Sequence, residues 1–294
     1  MTTAADLVQR VRDLVYGGAT DEFNRLASAH ASGSPDLSLD FEPRGATTGS
    51  ILSIGLSTYL VWTVDSIAKT VEVAPGHAGS LESDHPAKAL VRVRPRVTDK
   101  VIFDAINRDL RLMSSPEQGL YAVGTWNPVV DPVDQAWVVP AEHVGMERIL
   151  ACRFTPAGQP DRWLEANAIL NTSDEEQRVV MTTFLSPSDT VEITYSKPFG
   201  QFTALTDDVE EVGLVPSLED IPVFGAAASV VWGMESRRNQ LVAQSDTRRP
   251  DEVPAGALTG TAREFARQRT ILVNAELARL QRRYPYRRTL SGGY

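Results

Sequence analysis

Thr58-Tyr59-Leu60-Val61-Trp62-Thr63-Val64, then Asp65-Ser66-Ile67-Ala68-Lys69, then Thr70-Val71-Glu72-Val73 is the stretch that decides the fold class. Two runs rich in β-branched and aromatic residues flank a short polar segment, and this predicts a β-hairpin. Working outward, Ser50 to Ile54 and Ala89 to Val93 have the same character. Upstream, Leu37, Leu39 and Phe41 alternate with polar residues, as in a half-buried strand. Downstream, Pro95 stops the sheet. Val101, Ile102, Ala105, Ile106, Leu110 and Met113 then repeat at helical spacing over residues 98–113. Strands that run straight into an amphipathic helix predict an α+β fold.

The flanks extend this reading. Leu7, Val8, Val11, Leu14 and Val15 form one helical stripe over Ala4 to Tyr16, closed by Gly17-Gly18. Thr20 is positioned to cap a second short helix carrying Phe23, Leu26 and Ala27 on one face. Between residues 119 and 215, short β-like runs recur at 119–123, 135–139, 145–154, 163–170, 179–185 and 190–195. Loops rich in Pro, Gly, Asp and Asn separate them, which predicts an antiparallel sandwich or barrel. Ser217 and Asp220 resemble a capping box opening a helix that runs to about Gln244. Ser245 to Gly260, with Pro250 and Pro254, reads as a linker, and Thr261 to Tyr284 as a last helix. The expected organisation is a helical and β-hairpin module over 1–115, a β-sandwich-like domain over 116–215, and C-terminal helices over 216–294.

The 294 residues carry a net charge of −9, which argues against a general nucleic-acid binder. From Thr261 onward, eight arginines face two glutamates, so this stretch is +6 and the rest of the chain −15. An acidic body with an arginine-rich last helix suits a subunit that meets different partners at its two ends. The single cysteine, Cys152, excludes an internal disulfide and any thiolate-rich metal site. The start, from Met1 to Asp6, lacks the basic and apolar regions of a signal peptide. No run of about 18 apolar residues occurs, so no membrane partner is expected.

Motifs for catalysis are missing. There is no phosphate-binding GxxxxGK[ST], no GxGxxG, no GxSxG and no HExxH, so neither cofactor nor metal is expected and the chain is not read as an enzyme. His77 and His85 flank a glycine-containing loop and read as polar loop residues. Asp207, Asp208, Glu210 and Glu211 lack the rhythm of a calcium loop and read as a solvated turn. An enzyme site would need Asp207, Asp208 and His143 to converge. Trp126, Trp137 and Trp163 leave a carbohydrate-binding module open, and that reading requires them exposed and coplanar.

Two stretches carry a resemblance. Tyr59 to Asp65, Lys69 to Val73, Gly76 to Ser80, His85, Ala89 to Pro95 and the helix from Val101 to Leu110 resemble a module of tailed-phage virion proteins. There, two strands lead to an Arg-Gly-x-x-Gly-Thr turn, a His, a strand ending in Pro, and a helix. Here Ala74-Pro75 and Ser80 replace Arg-Gly and Thr. Ile221 to Ala228, with Glu235, Arg237, Arg238 and the arginine-rich helix ending Arg283-Tyr284-Pro285, resembles the C-terminal helical pair of phage head-to-tail adaptors, especially those of actinobacterial phages.

The resemblance implies a structural neck protein of the virion, assembled in the host cytoplasm. It implies a homo-oligomeric ring, usually a dodecamer, docked beneath the portal protein. The next neck or tail component would bind its other side, and DNA would pass through its lumen without specific binding. A tail or baseplate subunit is the alternative virion part. Arg263, Arg267, Arg279, Arg282, Arg283 and Arg287 are the expected portal-facing residues. Charge reversal at Arg279, Arg282 and Arg283 is expected to abolish docking and spare the fold.

Overall fold

The computed structural model describes residues 2–17, 21–74, 76–77, 83–130, 135–159, 161–172, 176–244 and 257–285, with backbone alone at 236–244 and 257. The fold is α+β. By compactness it divides into two units, each gathered from separate stretches of chain.

The first unit takes residues 1–109, 202–209 and 219–270. Helix α1 (Ala4–Tyr16) opens with a capping box: the Thr3 hydroxyl accepts from Asp6 N–H, and the Asp6 carboxylate accepts from Thr3 N–H at 2.8 Å. Leu7, Val8 and Val11 are buried, and Gly17 closes the helix in the left-handed region. A six-stranded antiparallel sheet follows, in the order β1-β6-β3-β4-β5-β2. Its strands are β1 (Glu22–Arg25), β2 (Asp36–Ser38), β3 (Ile51–Ile54), β4 (Ser57–Asp65), β5 (Thr70–Ala74) and β6 (Leu90–Val93). Leu26, Leu37, Leu52, Tyr59, Val71 and Val91 form its core. Helix α2 (Asp99–Met113) follows β6, and helix α3 (Asp220–Gln244) packs against α1.

Two sequence expectations fail in this unit. The second N-terminal helix does not form: Glu22–Arg25 is the edge strand β1, paired antiparallel with β6. Phe23, Leu26 and Ala27 satisfy a helical stripe, but Asn24 and Leu26 point inward and Phe23 and Arg25 outward, which is a period of two. A free β6 edge needs a partner, and the Asn24 side chain bonds both the N–H and the C=O of Phe41. Thr20 lies outside the described residues. Phe41 does not belong to a half-buried strand: β2 ends at Ser38 and Phe41 is 64 % exposed.

Charge is buried around Arg12, which is 4 % exposed and ion-pairs Asp21 at 2.7 Å and Asp99. Arg92 reaches the same two carboxylates at 3.6 and 3.4 Å. Two cations facing two anions close a neutral network, which is what makes its burial tolerable. Beside it Val97 N–H donates to the Tyr16 oxygen at 2.8 Å, fixing the segment between β6 and α2.

The second unit takes residues 110–201, 210–218 and 271–294. Two antiparallel sheets share one core, with orders β10-β9-β13-β7 and β11-β12-β8. The strands are β7 (Ala122–Trp126), β8 (Ala136–Val138), β9 (Arg148–Thr155), β10 (Leu164–Glu165), β11 (Ala168–Thr172), β12 (Gln177–Met181) and β13 (Thr190–Lys197). Trp126, Trp137, Val179, Val191 and Ile193 fill the space between the sheets. Gly124 stands opposite Tyr195 in the ladder, and a Cβ there would lie 2.4 Å from the Tyr195 ring. Only glycine lets that ring cross the strand to place its hydroxyl 2.8 Å from His143 Nδ1.

The last helix, α4 (Ala257–Arg283), supplies residues to both units. It begins inside the segment expected to be linker: Ala257 to Gly260 are helical, and 245–256 lie outside the described residues. Helix α3 starts at Asp220, three residues beyond the Ser217 expected to cap it.

Candidate partner interface

Helix α4 is built from strong helix formers, with Glu264 and Glu276 its two acids. Its buried positions are Ala262, Val273, Glu276 and Leu280. Arg267 forks onto Glu264 at 2.9 and 2.8 Å, and this holds the Glu264 carboxyl down at about 2. Arg279 donates to the buried Glu276 at 2.7 Å and has its own pKa raised by that carboxylate. Pairs spaced i,i+3 lie side by side on the helix surface and favour the helical form.

Arg269, left out of the expected interface, points into the first unit. It donates to both oxygens of Asp109 at 2.9 and 3.0 Å. Burial pushes Asp109 up to about 6 even with Arg269 beside it. A Cβ on Gly225 of α3 would sit 2.2 Å from Asp109 Oδ1, so this glycine makes room for the carboxylate. Within this unit the ion pair ties α4 to α2 where α3 passes.

Of the six expected interface arginines, five are described, and all five are exposed. Arg267 and Arg279 are engaged by the two glutamates. Arg263, Arg282 and Arg283 face solvent outside those pairs, at the start and end of the helix. Arg287 lies outside the described residues. At the helix end Ile271, Ala275, Ala278 and Arg282 lie four, three and four residues apart, all exposed, so one stripe carries small residues bordered by cations. The sequence makes the arginines of α4 readable. It does not show that two of them are already paired, Arg267 on the exposed Glu264 and Arg279 on the buried Glu276.

Asp207, His85, Trp126 and Trp137 each take part in local structure. Asp207 accepts from Thr203 N–H at 2.6 Å and Ala204 N–H at 2.8 Å, and these bonds hold its carboxyl below the usual range. It pins a turn. His85 Nε2 lies 3.0 Å from the Tyr59 hydroxyl, and the ring stacks 6.3 Å from that of His30. Trp126 and Trp137 are 8 % and 9 % exposed and meet at 78°, so they do not make the coplanar platform a sugar site requires. Trp163 is covered on one side by the Arg153 guanidinium, 4.5 Å from its centroid. Among the described residues no three His, Cys, Asp or Glu side chains gather as a metal ion requires, and no helix is long and apolar enough to cross a membrane.

No protein-family model matches the sequence, and no curated protein matches it. Among solved structures, one similar chain comes from the neck of an empty gene transfer agent (GTA) particle computed with C6 symmetry, at a TM-score of 0.23 and 11 % identity. A second comes from the virion of a native gene transfer agent particle, at a TM-score of 0.23 and 12 % identity. Each match covers 57 % of this chain and 77 % of the other. No residue role passes from those chains to this one at such identity.

Proposed function

We propose that this protein is a structural subunit of a tailed-phage neck, a head-to-tail adaptor that forms a ring beneath the portal protein and seats on it through α4. The observation that carries the reading is the outward face of α4. It bears Arg263, Arg282 and Arg283 on a chain whose remainder is strongly acidic. The resemblance noted in the sequence supports it, since one stretch forms the β4-β5 hairpin, β6 and α2, and the other forms α3 and α4. An acidic body leaves passing DNA unbound. The next neck or tail component would then meet another face of the ring.

The test is co-sedimentation of the purified chain with a portal ring, repeated with Arg282→Glu/Arg283→Glu. Native protein is expected to sediment with the ring and the double variant to stay behind, with unchanged circular dichroism. Arg279 is left native because its reversal would set two carboxylates against each other beside the buried Glu276. A double variant that docks as tightly as the native chain, or a native chain that ignores the ring, overturns the reading.

A further inference from the structure

The first unit carries an apolar groove and an apolar knob at opposite ends of one strand. The groove has a volume of about 750 Å³ and is walled by Ile51, Val97, Val101, Ala105, Val230 and Met234. That volume lies within the range of true binding clefts. Thr58, at the start of β4, also lines it. The knob is the tip of the β4-β5 hairpin, where Ile67 is 96 % exposed. The tip is rigid, because the Asp65 carboxylate accepts from Ile67 N–H at 2.9 Å and Ala68 N–H at 2.8 Å. From Thr58 to the tip, β4 advances roughly 23 Å at about 3.3 Å per residue. One copy therefore cannot fill its own groove.

The two features are complementary in charge. Arg96 and Arg108 are exposed at the groove, while its Asp104 is paired with Lys100 at 2.6 Å. Asp65 and Glu72 flank the knob, and the Lys69 ammonium donates to the Asp40 carbonyl at 3.2 Å. Two exposed cations at the groove thus face a tip on which two carboxylates outnumber the single Lys69 cation. We propose that the β4-β5 hairpin tip of one copy seats in the groove of a second copy. Different patches on the two partners make a heterologous contact, which closes into a ring when its rotation allows. Ile67 anchors the contact and Arg96 and Arg108 receive the acidic flank. This inference rests on the reading of the chain as a ring subunit.

The experiment mixes full-length Ile67→Cys with full-length Ala105→Cys under mild oxidation and reads covalent mass. The native thiol does not interfere, because Cys152 is buried and its pKa is pushed up to about 11. The expected result is a covalent dimer in the mixture, none from either variant alone, and a ladder of multimers when both substitutions share one chain. Ile67→Asp is expected to lower the oligomeric fraction in light scattering at least tenfold without changing circular dichroism. No cross-link in a preparation whose native chain is oligomeric overturns this contact and leaves the ring standing. No cross-link from a monomeric native chain, repeated with the portal ring present, overturns the contact, and the ring reading falls with it only if that chain also fails to co-sediment with the portal ring. A dimer from Ile67→Cys alone means a symmetric tip-to-tip contact and overturns the assignment.

Discussion

Asp109 shows how one buried side chain sets a pH dependence. Its carboxyl titrates at about 6 in the fold against 3.8 for the free group, with desolvation outweighing Arg269. A raised pKa means the folded state binds the proton more tightly. The resulting stability is full below pH 3.8 and is lost as pH rises through 6, on the order of 2–3 kcal/mol. Asp109→Asn is expected to remove this slope from urea unfolding measured between pH 4 and 7; equal slopes in the two proteins would remove Asp109 from the account. His85 works in the opposite sense, since burial and then His30 lower its pKa. It costs stability as pH falls below 6.5, where the unfolded chain takes up the proton first. The His85 imidazole proton resonances are expected to titrate with a midpoint below 6.5. Gly124→Ala must push the Tyr195 ring aside, so a loss of about 1–3 kcal/mol in thermal unfolding is expected, with the His143 contact broken.

At the scale of elements, α1 is legible from its apolar stripe and its Gly17 stop, and the structure adds the Thr3-Asp6 capping box, while Leu14 of the stripe stays exposed. Thr3→Ala is expected to lower unfolding free energy by about 1 kcal/mol, the usual worth of such a cap. A change within error would mean the packing of α1 on α3 holds that terminus unaided. Strand β1 was illegible for the converse reason: four residues fit both periods, and the choice was made by the open edge of β6, contributed by residues nearly 70 positions away. In α4 the five described arginines of the expected interface are exposed. Which of them remain available depended on Glu276 being buried and on Asp109 capturing Arg269, and neither burial is visible in the order of residues.

For the whole molecule the relevant quantity is charge distribution. A chain of net −9 that concentrates +6 beyond Thr261 is poised for an association steered by electrostatics. Docking on a portal ring is expected to weaken steeply between about 0.05 and 0.5 M salt, because exposed charges are screened beyond about 10 Å at 0.1 M. Affinity independent of salt would move the interface to the apolar surface instead. Tip-to-groove assembly should respond less, since its anchor is the apolar Ile67. Salt titration therefore separates the two contacts in one preparation.

The sequence by itself determined the α+β class, the hairpin of β4 and β5, the helices α1, α2 and α4, and the all-antiparallel centre. All of these are written in local periodicity, turn chemistry or composition. Tertiary structure alone decided that residues 22–25 are a strand, that the central strands form sheets of four and three around Trp126 and Trp137, that Arg269 is spent on Asp109, and that a groove opens beside β4. The reason is common to these cases: each depends on which distant segment covers a side chain, and burial by distant segments leaves no period in the chain.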